Sequence, residues 1–168
     1  KATSERMVTT MEKRYYIAYG SNLNVNQMRW RCPGARIIGT SELQDFRLMF
    51  KGSKTGSYLT VEPEQGCKVP VAVWEVTAED ELALDRYEGY PTFYYKTELK
   101  LDIKGIRTGR IRKRRVFVYI MHEDRQFGIP SDSYLSVCAQ GYRFFGFPTD
   151  RLLEAYQYSK ERVKHYEE

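Results

Sequence analysis

The sequence predicts an α+β fold: a small, strongly bent mixed β-barrel-like sheet with flanking helices at its mouth. Three observations carry this prediction. The segments run strand, helix, several strands, helix, long hairpin and two helices, an order that does not alternate as a doubly wound sheet would. Tyrosine is heavily used, 14 residues among 168, which suits half-wet strand walls better than a helical bundle. A chain of 168 residues can bury roughly two thirds of its unfolded surface around one core. With no repeat, low-complexity tract or linker, a single domain is expected over 14–168. Residues 1–13 are read as a flexible N-terminal tail or an expression scar. The first ten are polar and lack the apolar stretch of a signal peptide.

Taken in order, Tyr15-Tyr16-Ile17-Ala18-Tyr19 is a short apolar strand that breaks into Gly20-Ser21-Asn22. Asn24 caps a short helix over Val25–Arg31, and Pro33-Gly34 ends it. The stretches 35–40, 46–51 and 58–61 read as separate short strands at the spacing of a meander. Residues 69–76 alternate and read as a strand buried on both faces. Thr77, with Asp80 three residues on, opens a helix by a capping-box variant. Leu82, Leu84 and Tyr87 are neighbours on its surface, and Gly89 and Pro91 end it. Residues 94–103 form a long strand paired with 116–121 across a basic turn containing Gly105 and Gly109. A helix starts near Ser131, with Gly141 as an interruption or an end. Thr149 caps the last helix, which carries Leu152, Leu153 and Tyr156 on one side and ends in a charged, exposed tail.

Composition excludes several classes. The three cysteines, Cys32, Cys67 and Cys138, are odd in number and widely spaced, which fits a reducing cytoplasm and not a disulfide framework. His122 and His165 stand in no metal-ligand spacing, so no metal is expected. No apolar run approaches the ~20 residues of a membrane span. The net charge of +5 is local. Lys104, Arg107, Arg110, Arg112, Lys113, Arg114 and Arg115 carry seven positive charges within twelve residues, and taking them from +5 leaves −2. No aromatic residue interleaves them, which argues against nucleic-acid stacking. A solvated hairpin tip is the simplest account of the run; steering of acidic substrates, or an acidic partner, is the other.

Two stretches can carry chemistry. A strand that feeds a small-residue turn and then a helix leaves backbone N–H groups without internal partners, and such groups suit an anion. Nothing matches the phosphate loop G-x-x-x-x-G-K-[ST], so a carboxylate fits the turn better than a nucleotide phosphate. In the second stretch, Leu84-Asp85-Arg86-Tyr87-Glu88-Gly89, a glutamate closes a helix, where its charge opposes the dipole. Tyr87, Tyr90, Phe93, Tyr94 and Tyr95 surround Glu88 in sequence and point to a desolvated carboxyl. Desolvation and the dipole raise its pKa toward that of a general acid/base near neutrality. Ser21 has no histidine–carboxylate pair within reach of the pattern. Cys138 lies in an apolar helix and reads as core, and Tyr142, Phe144, Phe145 and Phe147 read as core or pocket wall.

YIAYGSNL, followed about 65 residues later by LDRYEGYPTFYYK, resembles the gamma-glutamylcyclotransferase-like family. The closing SYLSVCAQGYRFFGFPTDRLLEAYQYS is similar to its final helical region. The resemblance runs from about Arg14 to Tyr158. It implies cyclisation of a gamma-glutamyl group to 5-oxoproline with release of an amine or amino acid, without metal or cofactor. It also implies that Tyr19, Gly20, Ser21, Asn22 and Leu23 form the loop whose amides hold the substrate's α-carboxylate. Glu88 is then the acid/base, Tyr94 borders the site, and Tyr119 is a further aromatic of the wall. The expected partner is a small gamma-glutamyl molecule, and the expected assembly is a monomer or homodimer. The alternative is a catalytically degenerate module that binds a carboxylate, or binds nucleic acid through the basic hairpin.

Overall fold

The computed structural model describes residues 13–167, with side chains through residue 163. Its strands are β1 (Arg14–Ala18), β2 (Arg36–Ser53), β3 (Gly56–Val76), β4 (Tyr94–Gly105), β5 (Ile111–Met121) and the short β6 (Gln126–Phe127). Its α-helices are α1 (Val25–Arg31), α2 (Ala78–Glu88), α3 (Asp132–Phe145) and α4 (Asp150–Glu167), and a 3-10 turn spans Ser21–Leu23. The strand order is β3-β1-β5-β4-β2, and β2 pairs again with β3. That second pairing closes five strands into a barrel, with β6 attached to β2. All pairings are antiparallel except β1 with β5, which run parallel with Tyr16 opposite Phe117. The α+β barrel with helices around it is the architecture the segment order predicts.

Where the sequence reads several short strands, the chain instead forms one long hairpin, β2 with β3, from Arg36↔Glu75 to Ser53↔Gly56. The polar and glycine punctuation marks bends within it. The register shifts between Gln44 and Phe46, where Asp45 takes φ 60 and its Oδ1 accepts the Gly66 N–H at 2.9 Å. Aspartate tolerates this left-handed backbone better than most side chains. The bulge lets a two-stranded ribbon curl far enough to close a barrel. Residues 69–76 lie within β3, with Val71, Val73, Trp74 and Val76 all buried.

The helix boundaries follow their caps. Asn24 accepts from the Gln27 N–H, Thr77 and Asp80 complete the capping box, and Gly89 ends α2 in the left-handed region. Ser131 caps α3, which runs through Gly141 to a left-handed Gly146. Gly141 is therefore no break. A Cβ there would sit 2.5 Å from the Leu23 carbonyl carbon and 2.7 Å from Asn24 N, so glycine is needed for close approach of the helix to the turn. Among the described side chains of α4, Leu152, Ala155 and Ser159 are buried, whereas Leu153 is exposed, contrary to its expected place on the apolar side. Phe144 is also exposed, while Tyr142 is fully buried.

The basic run is not a free tip. Only residues 106–110 turn; Ile111 to Arg115 continue β5 opposite Lys104 to Lys100. The turn rests on β2, where the Ile106 N–H donates to the Ile38 carbonyl at 2.9 Å and Gly105 pairs with Gly39.

Candidate active site

The end of β1 and the end of α2 open onto one cavity of about 430 Å³, a size that suits a small molecule. Tyr19, Gly20, Ser21 and Asn22 line it from the turn, Glu88 from α2, and Tyr94 and Tyr119 from β4 and β5. Leu23 lies elsewhere: it is fully buried beneath Gly141 and is not part of the wall. Of the aromatics near Glu88 in sequence, Tyr87, Phe93 and Tyr94 reach the cavity, and Tyr90 and Tyr95 do not.

The turn is held from both sides. Leu23 N and Asn24 N bond back to the carbonyls of Gly20 and Ser21. Among the described residues no acceptor takes up the N–H groups of Gly20, Ser21 or Asn22. From α3, Tyr142 Oη donates to the Tyr19 carbonyl at 3.1 Å, and Asn24 Nδ2 donates to Gln140 Oε1 at 2.9 Å. From β3, the Trp74 indole N–H donates to the Asn22 carbonyl at 3.2 Å. These contacts fix the free amides in place before any ligand arrives, the preorganisation that anion binding requires.

Asn22 links the turn to α2. Arg31 Nη1 donates to its Oδ1, which leaves Nδ2 to donate to Tyr16 Oη at 2.9 Å and to approach Glu88 Oε1 at 3.5 Å. The Arg31 guanidinium also stacks on the Tyr87 ring, 3.4 Å from its centroid, and Tyr87 Oη shares a hydrogen bond with Ser21 Oγ at 2.9 Å. At 3.5 Å the Asn22 contact is long. Among the described residues it is the one hydrogen bond to the Glu88 carboxyl, and no cation forms a salt bridge with that carboxyl. Burial therefore dominates its ionisation and pushes the pKa up to about 8, with the Arg31 charge opposing the rise.

The helix that carries Glu88 is clamped by charges one and two turns before it along the same face. Tyr119 Oη donates to Asp85 Oδ1 at 2.6 Å, and Lys96 Nζ bridges Asp85 and Glu81 at 2.9 and 3.0 Å. Arg14 joins Glu81 at 2.8 Å and Glu98 at 2.7 Å, so β1, β4 and β5 all hold α2. The hydroxyls of Tyr19 and Tyr94 are spent on the carbonyls of Tyr119 and Leu59. Tyr134 differs. Its hydroxyl accepts the Leu59 N–H at 3.1 Å, lies beside Gly20, and has the Cys138 sulfur as a neighbouring weak acceptor.

Tyr16, Tyr58, Tyr134, Arg31, Arg86 and Arg125 were not anticipated from the sequence. Tyr16 precedes the turn by four residues, so its nearness was readable; Tyr134 and Arg125 arrive through long-range closure that no spacing announces. Arg86 and Arg125 stand at the rim, Arg125 over the Phe93 ring at 4.6 Å from its centroid. Neither arginine has a carboxylate partner among the described residues. Cys32 and Cys138 are buried, and burial pushes both thiols up to about 12, so neither is a thiolate nucleophile at neutral pH. Among the described residues no cluster of His, Cys, Asp and Glu has metal-holding geometry, and no helix is long and apolar enough to cross a membrane.

The architecture is thus a small closed barrel with one cavity lined both by the Gly20-Ser21-Asn22 turn and by a protonatable carboxyl. Residues 16–136 match the family model described as gamma-glutamyl cyclotransferase, AIG2-like. The gamma-glutamylcyclotransferase of Homo sapiens is 29% identical over 147 residues, covering 83% of this chain and 75% of the relative. That of Bos taurus is 34% identical over the same shares. A solved structure of a gamma-glutamyl cyclotransferase superposes with a TM-score of 0.70 at 28% identity, covering 89% of this chain and 87% of the other. YkqA from Bacillus subtilis superposes with a TM-score of 0.70 at 14% identity over 94% of this chain and 58% of its own, a likeness of fold alone. The chain belongs to the gamma-glutamyl cyclotransferase, AIG2-like family, and is an enzyme of gamma-glutamylcyclotransferase type.

Proposed function

We propose that the protein cyclises the gamma-glutamyl group of a small substrate to 5-oxoproline, with Glu88 as the single acid/base. The observation that carries this reading is the Glu88 carboxyl, pushed up to about 8 and lining the same cavity as the Gly20-Ser21-Asn22 turn. The amides of that turn receive the α-carboxylate of the glutamyl group, which sets its α-ammonium toward Glu88. Burial raises the Glu88 carboxyl toward the range of an amine, which narrows the gap across which the proton passes. The freed amine nitrogen attacks the γ-carbonyl carbon and forms the ring C–N bond. The oxyanion takes the Tyr134 hydroxyl proton as a hydrogen bond. The bond to the leaving nitrogen then breaks as Glu88 gives that nitrogen the first proton, and the carboxylate so regenerated takes the second proton from the ring nitrogen and passes it to the departing amine, which leaves as an ammonium. Both reacting groups belong to one molecule, and well-oriented closures of this kind reach effective molarities on the order of 10⁵ M or more. The proton balance closes on Glu88, so the reaction calls for no metal or cofactor.

The rim narrows the substrate class. Arg86 and Arg125 stand where the leaving portion would emerge, which favours gamma-glutamyl amino acids and peptides, with a carboxylate there, over gamma-glutamyl amines. Three free cysteines, two of them buried, fit a reducing cytoplasm as the place of action.

The test is incubation with gamma-glutamyl peptides, amino acids and amines, following 5-oxoproline by mass. Glu88→Gln is expected to lower turnover by about 10²–10⁴-fold while the circular dichroism stays that of the parent. Full turnover in the Gln variant would end the assignment. Equal kcat/KM for an amino acid and its carboxylate-free amine would remove the role of the rim arginines.

A further inference from the structure

At the end of the barrel formed by the β4–β5 turn, away from the catalytic cavity, lies an open groove of about 690 Å³ whose lining shares no residue with that cavity. Six arginines border it: Arg29, Arg36, Arg107, Arg110, Arg112 and Arg114. No acidic residue lines it, and among the described residues the one carboxylate paired with any of the six is Glu75, on Arg36 at 3.2 Å. The alternation of β5 separates its charges. Lys113 and Arg115 fall on the opposite face, near Asp102 and Glu98 at 3.8 Å each, whereas Arg112 and Arg114 face the groove without partners among the described residues. Packed like charges repel one another, and a fold keeps them together at a cost unless a counter-charge arrives.

The floor is apolar. Ile37, Ile38, Ile103 and Ile106 line it, and Ile106 is 51% exposed. The turn that bears Ile106, Arg107 and Arg110 is fixed to β2 by the Ile106–Ile38 hydrogen bond, so these side chains project from a settled backbone. An aliphatic floor with guanidinium walls is complementary to a polypeptide that mixes acidic and apolar side chains. Single-stranded nucleic acid calls instead for exposed aromatic faces. The aromatic residues of the lining are Tyr15 and Trp74, one half-buried and the other 3% exposed. Guanidinium forks bind carboxylates in bidentate pairs, which lysines in their place would not do.

We infer that this groove is a docking site for an acidic segment of a partner protein in which carboxylates are interspersed with apolar residues. The carboxylates pair with Arg112, Arg114 and their neighbours, and the apolar side chains rest on Ile106 and the isoleucines behind it. The inference does not depend on the cyclisation chemistry.

The experiment is fluorescence anisotropy of a labelled peptide of repeated Glu-Glu-Leu against the full chain. Oligouridylate and phosphatidylserine vesicles serve as competing ligand classes. Saturable peptide binding that weakens with added salt is expected. Arg112→Glu is expected to weaken it by about tenfold or more, whereas Lys113→Glu, the same charge change one residue along and on the other face, changes it by less than about threefold. Ile106→Ser is expected to weaken binding a few-fold with an unchanged salt dependence. Turnover on a gamma-glutamyl substrate stays at the parent level in all three variants and reports that each is folded. Equal losses in Arg112→Glu and Lys113→Glu would overturn the proposal, because net charge alone would then explain binding. So would unchanged affinity in Ile106→Ser, tighter binding of oligouridylate or vesicles than of peptide, or no saturable peptide binding.

Discussion

The two halves of β5 belong to different environments. Val116, Phe117, Val118, Tyr119, Ile120 and Met121 are all buried, and the one hydroxyl among them is held by Asp85 at 2.6 Å. Ile111 to Arg115 are exposed or half-exposed and carry four positive charges in five residues. At the buried end nearly every polar side chain is bonded closely to another part of the protein, and Glu88 stands out with a single long contact, from Asn22 at 3.5 Å. At the exposed end the arginines of the groove are the groups left over. In both places the reactive or binding group is the one that the fold does not satisfy internally. Burial decides which chemistry results: the half-buried Glu88 carboxyl, its charge poorly solvated, is pushed up to about 8, while guanidinium groups in water keep their charge.

The largest effects that would break this contrast lie in the pH dependence of catalysis. If Glu88 must be ionised to accept the ammonium proton, kcat/KM falls about tenfold per pH unit below about 8. A profile flat between pH 6 and pH 8, measured by 5-oxoproline release, would separate the titration of Glu88 from the reaction.

The same titration acts on stability, with a worked sign. The native pKa of about 8 lies above the unfolded value of ~4.3, so between them the unfolded chain has released a proton that the native state keeps. Native stability therefore falls as pH rises through that window, by on the order of a few kcal/mol, and is unaffected by this group below it. Glu88→Gln has no such proton. Its melting temperature is expected to exceed the parent's by a margin that widens from pH 5 to pH 8. A constant margin would mean that Glu88 is not buried as described.

Gly141→Ala tests how the turn is held. Its Cβ would meet Leu23 and Asn24 backbone at 2.5 and 2.7 Å, and the expected cost is about 1–3 kcal/mol. Thermal melting would show a drop of several degrees, and KM would rise as the turn amides shift. The smallest effect is expected on the barrel surface. Lys68 and Glu42 are half-exposed with a 3.6 Å ion pair. Lys68→Ala should move stability by less than about 0.5 kcal/mol in urea titration, a check that the exposed charges contribute little individually.

Local signals were legible in the sequence, and convergence over long range was not. The caps of α1 and α2, the stop at Gly89 and the β4–β5 pairing follow from residues adjacent to them. So does the placement of free amides at Gly20-Ser21-Asn22 and of a carboxyl at the close of α2. The β2–β3 hairpin reads as fragments because Gly, Ser, Lys and Pro punctuate it, whereas in the fold these mark no strand ends and Asp45 and Gly66 form a bulge inside a continuous ribbon. Gly141 looked like a helix break because its helix propensity is poor. Its reason for being there is the backbone of Leu23, far away in sequence. Tyr58, Tyr134 and Arg125 cannot be assigned to the cavity from sequence because neither periodicity nor spacing encodes which walls a barrel brings together.

The seam between β1 and β5 sets the order in which this enzyme can become competent. The β2–β3 hairpin joins neighbours across a short turn, whereas the seam pairs Tyr16 with Phe117 and the Tyr19 hydroxyl reaches the Tyr119 carbonyl. Closing the longer loop carries the greater entropic cost, so the ribbon can form well ahead of the seam. The cavity has walls on both sides of that seam. Recovery of turnover during refolding therefore reports closure of the barrel, which strand content alone does not.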